Sequence, residues 1–507
     1  MNIWTNFQKL VATHPERPAL IHGDFTTSFS ELSARVFDYR HHYQSAGVRS
    51  GDRVLIWTVN QVEIAAAIIA AWGEGAIAAL MDSSYCSLQL QRALGILEPR
   101  CVVYQDSLPE AHFASGCSLI EGGEVLSCPV DKVFADSEAK STDPATIVFT
   151  SGSTGGPRGV TQSHGNLLRG CNSVYEYLQY QQEDRILCPV PWSFDYGFGQ
   201  LLSTVICGLT QVLPGHTNSF GLGEAIERHQ PTVLAGTPTV YGLLTGGMSP
   251  IAELDVSSIR LLTSSGGKMP GDLVAAIARY FSGAELSLNY GLTETYRSCY
   301  LPTELAGKYP GAIGYPIPGV EIAILRANGV HAEAGEVGEI VHLGDYIMLG
   351  YWNDAAGSEL VLKPYPLNLD GNTVTTRALY TGDMGYRDSG GLLYFVGRAD
   401  HQLKSMGVKV NPTEVEGILH GLEGVEQAAV FGIEHSILGD EIWAAYVPDP
   451  EFGWSSAALR IKLAALMSPY MLPRQYLALE HLPKNVNGKV SYSALREMAV
   501  ERSGPMS

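Results

Sequence analysis

The chain has 507 residues, of which 45% are hydrophobic and 17% are charged, an ordinary globular composition that allows two to four domains. Its formal net charge of −19 argues against a nucleic-acid partner, because such partners are held by basic surfaces. The most apolar run, residues 62–72, is interrupted by Glu63 and is too short to span a bilayer, so no membrane partner is expected.

Cysteine usage and the N-terminus predict a cytoplasmic protein. Eight cysteines are scattered without any Cys-x-x-Cys spacing, which is typical of reduced thiols in the cytosol. Residues 1–15 lack the basic segment, long apolar run and small-residue cleavage site of a secretory signal, so secretion is not expected.

The first part of the chain alternates between helical and strand patterns. Periodicity predicts helices at residues 3–13, 61–72 and 88–97, and a further helix that opens with residues 26–29, with strands at 52–56, 76–80 and 100–104. Such alternation predicts a doubly wound sheet with helices on both faces.

A glycine-rich stretch follows at residues 150–160, with the sequence Thr-Ser-Gly-Ser-Thr-Gly-Gly-Pro-Arg-Gly-Val, between a strand-like run and helix-like sequence from His164. Glycines let the backbone approach closely, hydroxyl and N–H groups donate to phosphate oxygens, and Arg158 adds positive charge. The spacing differs from the Walker A and Rossmann patterns. The stretch predicts a triphosphate cradle, and the alternative is a mobile Gly/Ser surface loop.

Further strand patterns at residues 186–191, 232–236, 259–264 and 285–289 end in small or polar residues, and residues 197–209 indicate a buried helix. In an open α/β sheet these carboxyl ends line the ligand crevice. Two segments that follow such ends are Ser264-Ser265-Gly266-Gly267-Lys268 and Asn289-Tyr290-Gly291-Leu292-Thr293-Glu294. A Thr-Glu pair in such a place can also begin a helix.

The pattern becomes antiparallel from Gly335, and a fresh helix at residues 412–422 opens a compact α+β tail. The prediction is an α/β fold with an N-terminal domain at 1–399, an antiparallel subdomain from a boundary near 319, and a C-terminal domain at 400–507. The N-terminal domain is expected to hold stacked mixed sheets with helices.

Five segments together resemble the adenylate-forming superfamily of acyl-CoA ligases, peptide-synthetase adenylation domains and luciferases. They are residues 150–160, 289–294, 380–383 (Tyr-Thr-Gly-Asp), 397–410 and 482–490. The last two resemble the family's hinge with its following core motif and its terminal lysine motif, and the matches extend from about residue 15 to 490. Two departures stand out: Arg158 replaces a lysine, and Lys409 replaces the family's usual arginine.

The resemblance implies ATP and Mg²⁺ as cofactors and a mobile C-terminal domain that rotates about Asp400. Tyr290 would stack on adenine, Asp383 and Arg398 would bind ribose, and Gly407 would lie beside a pantetheine tunnel. Lys489, Glu294, Thr154 and Arg158 would be catalytic, with Glu294 and Thr154 holding the metal ion. The ATP-binding residues implied are Thr150, Ser151, Gly152, Ser153, Thr154, Gly155, Gly266, Asn289, Tyr290, Gly291, Thr293, Asp383, Arg398 and Lys404.

The acyl pocket is implied at Phe194, Asp195, Ser265 and Arg297. In relatives that adenylate amino acids, an aspartate at the position of Asp195 pairs with the substrate ammonium, whose burial demands such a partner. The alternative is that Ser193 or Asp195 caps the following helix. In relatives the position of Arg297 faces the side-chain end of the pocket, so Arg297 would bind a second carboxylate or an acidic side chain of the protein.

No carrier attachment site follows Lys489, so a small acid and an acceptor in trans are the expected partners. The acceptor would be a carrier protein's phosphopantetheine thiol or free coenzyme A, and the lack of a distinctive basic patch favours the carrier. A degenerate binding module is a third interpretation, against which the retention of Glu294, Asp383 and Lys489 argues.

Overall fold

The computed structural model describes residues 1–123, 137–151, 157–309, 311–369, 372–398, 402–435, 437–449, 452, 454–483 and 490–503. The strands form three sheets, which assemble into a large N-terminal domain and a smaller C-terminal domain. The α-helices span Ile3–Thr13, Phe29–Ser45, Val62–Gly73, Ser87–Leu97, His164–Tyr177, Asp195–Cys207, Ser219–His229, Pro238–Thr245, Gly271–Tyr280, Thr303–Ala306, Ala355–Val361, Pro412–His420, Ser456–Ala464 and Tyr492–Ser503.

A seven-stranded sheet carries the glycine-rich stretch. Its strands, in spatial order, are Gly350–Tyr351, Pro157–Ser163, Pro144–Ser151, Ile77–Asp82, Arg53–Thr58, Cys101–Tyr104 and Ser118–Glu121. The last five run parallel, and the first two join antiparallel. Alternate residues of Ile77–Asp82 pack into two different cores, one containing helix Val62–Gly73 and the other helix Ser87–Leu97. This strand is therefore buried on both faces, which explains its unbroken apolar run.

A larger sheet carries the strand ends that are expected to line the crevice. Its order is Val320–Leu325, Gly338–Gly344, Asn372–Arg387, Leu393–Arg398, Ala312–Pro316, Cys299–Leu301, Glu285–Tyr290, Leu261–Ser264, Val233–Gly236, Arg185–Leu187, Thr210–Leu213, Pro18–His22 and Phe25–Ser28, with Leu362–Leu369 paired to Asn372–Arg387. Six neighbouring strands from Glu285–Tyr290 to Pro18–His22 are parallel, and the rest join antiparallel. Parallel strands place their carboxyl ends at one edge, where a ligand crevice forms.

The C-terminal domain is built on the third sheet, in the order Val408–Val410, Leu403–Ser405, Gly439–Pro448 and Val425–His435, with Gln475–Ala478 beside Gly439–Pro448. Its helices cover this sheet and enclose two separate apolar clusters. The α+β character predicted for the tail is present in these elements.

Two local predictions were wrong. Residues 157–163 form a strand, whereas the sequence indicated that the loop leads directly into the helix. Pro157 and Gly159 are unfavourable in strands, but antiparallel pairing with Pro144–Ser151 stabilises this one. Residues 25–28 form a strand beside Pro18–His22, and the predicted helix begins at Phe29 after Ser28 caps it.

Within the described ranges, none of the helices is both long and apolar enough to cross a bilayer. The seven cysteines that lie in these ranges are all free thiols.

Candidate active site

The glycine-rich stretch joins two antiparallel strands. Pro144–Ser151 and Pro157–Ser163 pair with Thr150 opposite Arg158, so both ends of the predicted cradle lie in paired strands. The backbone of Ser151 ends the first strand, but its side chain is not among the described parts. Gly152, Ser153, Thr154 and Gly155 lie outside the described residues, and their contacts to phosphate stay predictions.

The side chain of Arg158 contacts Tyr351, in the neighbouring strand of the same sheet, and Asp354, which follows that strand. Its guanidinium carbon lies 5.0 Å from the centroid of the Tyr351 ring, and its Nε lies 3.5 Å from Oδ2 of Asp354. A planar guanidinium can stack on an aromatic ring and face a carboxylate at once, which the point charge of lysine does less well. The departure from the family's lysine therefore has a structural use at the end of the strand pair that the glycine-rich stretch connects.

Glu294 is buried, with 7% of its surface exposed, and both of its carboxylate oxygens have contacts. Tyr351 donates from its hydroxyl to Oε1 at 3.0 Å, and Nζ of Lys409 lies 3.5 Å from Oε2. Burial alone would raise the pKa of Glu294, but the ammonium of Lys409 and these donors outweigh it and lower that pKa. The carboxylate is thus ionised at neutral pH, which suits a hard cation such as Mg²⁺.

The alternative that Thr293 and Glu294 begin a helix is wrong. The chain turns after Tyr290 and returns as the strand Cys299–Leu301, antiparallel to the strand before the turn. A Cβ at Gly291 would lie 3.0 Å from Cα of Arg297, so the two limbs of this turn approach closely. The turn therefore holds Glu294 and Arg297 in one compact loop.

Tyr290, Asp383 and Arg398 meet in space. Tyr290 donates from its hydroxyl to Oδ2 of Asp383 at 2.7 Å, and Nη1 of Arg398 donates to Oδ1 at 2.6 Å. Asp383 is 5% exposed, and its oxygens retain further lone pairs for hydroxyl donors such as those of ribose. The structure thus brings together three residues whose proximity the sequence alone does not show, and their nucleotide roles stay predictions.

Asn289 links three neighbouring segments at the strand ends. It donates from Nδ2 to Oγ1 of Thr263 at 2.9 Å, and its Oδ1 accepts from the hydroxyl of Tyr177 at 2.7 Å. The adjacent Ser265 is buried, and Gly266 follows with a φ of +89°. These residues form the edge at which the larger sheet meets the C-terminal domain.

Asp195 and Arg297 form an ion pair. Nη1 of Arg297 donates to Oδ2 of Asp195 at 3.2 Å, and the exposed fractions of the two side chains are 4% and 28%. The guanidinium of Arg297 also lies 4.8 Å from the ring centroid of Tyr196 and 5.2 Å from that of Tyr296. Of the two partners considered for Arg297, the structure therefore provides an acidic side chain of the protein.

The interpretation of Asp195 as a helix cap is wrong. The helix begins at Asp195 itself, with Phe194 at the cap position and no side-chain cap bond. Ser193 donates instead to Oδ2 of the buried Asp82 at 2.7 Å. Asp195 thus faces Arg297 with one oxygen, and its role towards a substrate stays a prediction.

A hairpin of the C-terminal domain lies against this cleft. Gly407, at its turn, has a φ of +83°, and a Cβ there would lie 3.1 Å from Cγ2 of Thr237. The carbonyl oxygen of Gly407 would lie 3.5 Å from a Cβ at Gly266, so the two glycines allow the domains to approach closely. Lys404 is half-buried in the same hairpin, and desolvation lowers its pKa although Asp383 and Asp195 oppose the shift. Asp400 and Lys489 lie outside the described residues.

Sequence reasoning missed the tyrosines of the site. Tyr351 binds Glu294, Tyr177 binds Asn289, and Tyr196 and Tyr296 enclose Arg297. The only available signal was the adjacency of Tyr196 and Tyr296 to Asp195 and Arg297, because a buried arginine favours aromatic neighbours.

Two family models, both of AMP-binding enzymes, match this chain. The model of AMP-binding enzymes matches residues 7–352, and the model of their C-terminal domain matches residues 414–489. The chain is 27% identical to 2-succinylbenzoate–CoA ligase of Bacillus subtilis, over 95% of each protein. It is 26% identical to delta-poly-L-ornithine synthetase of Acinetobacter baumannii over 97% of this chain, but it spans only 36% of that protein's length.

A solved structure supports the fold. The o-succinylbenzoate CoA synthetase of Bacillus subtilis, a double mutant bound with a product analogue, superposes with a TM-score of 0.85 at 26% identity, over 98% of each chain. The expected mixed α/β fold with a large N-terminal and a smaller C-terminal domain is thereby confirmed.

Proposed function

The chain belongs to the family of AMP-binding enzymes, and we propose that this AMP-forming ligase activates a small amino acid and transfers it to the phosphopantetheine thiol of a carrier protein in trans. In the first step a carboxylate oxygen of the acid attacks the α-phosphorus of ATP, and pyrophosphate leaves. In the second step the thiol sulfur, having lost its proton, attacks the acyl carbon, and AMP leaves with the bonding electrons.

One observation carries the proposal. Glu294 and the group formed by Tyr290, Asp383 and Arg398 lie at the cleft that the Gly407 hairpin approaches from the C-terminal domain. These contacts support the proposal, because an ionised carboxylate suited to a cation, a carboxylate suited to ribose hydroxyls and the facing glycines Gly266 and Gly407 lie in one region.

The metal ion would be held by Glu294, together with Thr154 of the glycine-rich stretch. A buried, ionised carboxylate fits Mg²⁺, which commonly uses one or two protein carboxylates beside substrate phosphates. Mg²⁺ bound there would supply charge neutralisation to the phosphates of ATP. Asp383 and Arg398 would orient the ribose, and Lys489 would stabilise the negative charge that develops at the α-phosphate.

The geometry around Asp195 supports an amino acid. Arg297 contacts one carboxylate oxygen of Asp195 and fixes the side chain, which is still 28% exposed, so an ammonium would be able to approach the carboxylate. A preorganised acceptor of this kind binds a cation without reorganising.

A second candidate is an AMP-forming acyl-CoA ligase whose acid has no amino group. The Asp195–Arg297 ion pair favours it, because the carboxylate already has a charge partner within the protein. The 2-succinylbenzoate–CoA ligase of Bacillus subtilis, which matches over 95% of both chains, is named as a CoA ligase.

The C-terminal domain is expected to move during the reaction. We propose that the C-terminal domain rotates about Asp400 between the two steps, exchanging Lys489 for the Gly407 hairpin. The N-terminal domain would then end at residue 399, with its subdomain boundary near 319, and the enzyme would act in the cytoplasm.

The test is ATP–pyrophosphate exchange with Mg²⁺ and a panel of amino and other carboxylic acids. We expect exchange with at least one acid, and Glu294→Gln should lower it about a hundredfold, the scale of losing one electrostatic contact to developing charge. Glu304→Gln makes the same change at an exposed site and should leave exchange unaltered. Absence of exchange across the panel would overturn the proposal.

A further inference from the structure

Tyr470 of the C-terminal domain packs against both domains. Its ring contacts the apolar cluster of its own domain, which includes Val410 and Met471, and also the cluster of the N-terminal domain that includes Tyr85 and Phe149. Among the residues described, it is the one hydrophobic side chain assigned to both of these clusters. Tyr470 therefore marks the place where the two cores are continuous.

The ring of Tyr470 touches two aromatic residues of the N-terminal domain. Its centroid lies 6.0 Å from that of Tyr85 and 6.1 Å from that of Phe194, and the latter pair is edge to face at 81°. Such pairs are attractive beyond the area they bury, and their strength depends on ring position. Phe194 directly precedes Asp195, so this contact reaches the implied acyl pocket.

The two contacted segments are also bonded to each other. Tyr85 belongs to the turn that begins at Asp82, and Asp82 accepts from the hydroxyl of Ser193 at 2.7 Å. Asp82 is 7% exposed and Ser193 is 4% exposed, so this bond is protected from water. The ring of Tyr470 therefore contacts both segments that the buried Ser193–Asp82 hydrogen bond joins.

The segment around Tyr470 is bonded to residues at the start of the helix Ser87–Leu97, which follows this turn. Gln89 accepts from the hydroxyl of Ser468 at 2.7 Å and donates to Sδ of Met471 at 3.2 Å, and Cys86 donates to the carbonyl of Leu466 at 3.2 Å. These bonds cross from one domain to the other on both sides of Tyr470. The ring is accordingly held in register with Tyr85 and Phe194 in this orientation of the domains.

We propose that Tyr470 is a positioning residue for acyl transfer. Its ring holds the C-terminal domain in the orientation that brings Gly407 to Gly266, and through Phe194 it fixes the segment of the acyl pocket that ends in Asp195. The proposal rests on the proposed function, because it requires that the orientation seen here is the one in which the thiol attacks. It predicts that the ring of Tyr470, and not its hydroxyl, is needed for the second step.

The experiment compares Tyr470→Leu with Tyr470→Phe in the full chain. Exchange is measured first with the acid that the wild type uses, and acyl transfer is then measured in a single turnover from preformed enzyme-bound adenylate to pantetheine. We expect Tyr470→Leu to slow transfer at least tenfold while exchange stays within threefold, and Tyr470→Phe to retain both. A merely structural role would lower exchange, transfer and Tm together, and that result would overturn the proposal.

A second variant tests the contact from the other side. Tyr85→Leu should also slow transfer selectively, and the double variant should be little worse than Tyr470→Leu alone, because Tyr470→Leu has already removed the contact with Tyr85. Multiplicative losses would show independent roles and overturn the proposal. If the wild type exchanges and transfers normally but both single variants do too, the Tyr470 proposal fails alone; if the wild type shows no exchange, the proposed function fails with it.

Discussion

The ammonium of Lys409 lies 3.5 Å from Oε2 of Glu294, and this contact joins the C-terminal domain to the carboxylate expected to hold Mg²⁺. Lys409 is 19% exposed and Glu294 is 9% exposed as side chains, so solvent screens the pair only weakly. One carboxylate oxygen thus takes part in domain docking and is also a candidate metal ligand. Metal binding and this domain orientation should therefore compete.

Lys409→Gln is expected to separate the two half-reactions. Removing the ammonium weakens the docked orientation, so acyl transfer should fall about tenfold, which corresponds to about 1.4 kcal/mol. Exchange should be retained, with a Mg²⁺ requirement equal to or below that of the wild type, because a competitor for Glu294 is gone. Magnesium titrations of exchange and single-turnover transfer measure both effects. Lys409→Arg keeps the charge and should keep transfer; a parallel loss of both steps in Lys409→Gln would contradict this account.

Gly407→Ala should impair acyl transfer and spare exchange. The φ of +83° makes any side chain there cost about 1–2 kcal/mol, and the new Cβ would crowd Thr237 beside Gly266. Transfer rates to pantetheine and to coenzyme A, measured beside exchange, test this. Gly417→Ala is the matched control, because Gly417 lies within a helix of the same domain and a Cβ there meets nothing within 4 Å. Loss of exchange in Gly407→Ala would show that the tunnel assignment is wrong.

The parts of the fold that could be predicted are those with a local signal. The strand Ile77–Asp82 and the helix Val62–Gly73 were each placed to within two residues, because both are almost wholly buried and so carry long apolar runs. The strand Pro157–Ser163 could not be found in this way. One of its pairing partners, Gly350–Tyr351, is distant in sequence, and the other, Pro144–Ser151, is separated from it by the glycine-rich stretch. Pairing rather than intrinsic propensity makes it a strand.

The same limit applies to the site. Motif resemblance singled out Tyr290, Asp383 and Arg398 separately, but the bonds among them join residues 93 and 15 positions apart. No sequence motif indicates the hydrogen bond between Tyr351 and Glu294. Local sequence patterns therefore indicate which residues belong to the site, whereas tertiary packing decides which of them are in contact and which side chain pairs with each charged group.

Glu414 is expected to make stability depend on pH. It is 4% exposed as a side chain, Nη1 of Arg92 in the other domain lies 3.7 Å from its Oε1, and burial raises its pKa from 4.5 to about 7. Because the folded-state pKa exceeds the unfolded value, the folded protein holds the proton longer as pH rises. The stabilising contribution is thus present below pH 4.5 and is lost as pH rises through about 7, by about 3 kcal/mol at most.

The measurement is Tm as a function of pH for the wild type and Glu414→Gln. The amide cannot ionise, so the variant should match the wild type near pH 5 and exceed it at pH 8. Arg92→Gln should steepen the wild-type trend, since its positive charge lowers the pKa of Glu414. A Tm difference that stays constant from pH 5 to 8 would exclude Glu414 as the source.

The last prediction concerns the acid, and it uses the Asp195–Arg297 ion pair. Asp195→Asn removes the carboxylate and leaves Arg297 buried without this partner, which should cost about 2–4 kcal/mol of stability whatever the substrate. Rates for all acids should therefore fall, and only the ratio between matched substrates is informative. If Asp195 also binds an ammonium, kcat/KM for an amino acid should fall about a hundredfold further than for its des-amino analogue.

Arg297→Gln should change the same ratio in the opposite direction. With Arg297 gone, a substrate ammonium becomes the charge partner that Asp195 still needs, so the preference for the amino acid over its des-amino analogue should rise. Exchange assays with matched pairs of acids on the wild type and both variants give these ratios directly, and Tm values identify losses of folding. A preference that moves in neither variant would mean that Asp195 and Arg297 serve only each other, and the acid would then be one without an amino group, as the acyl-CoA ligase alternative requires.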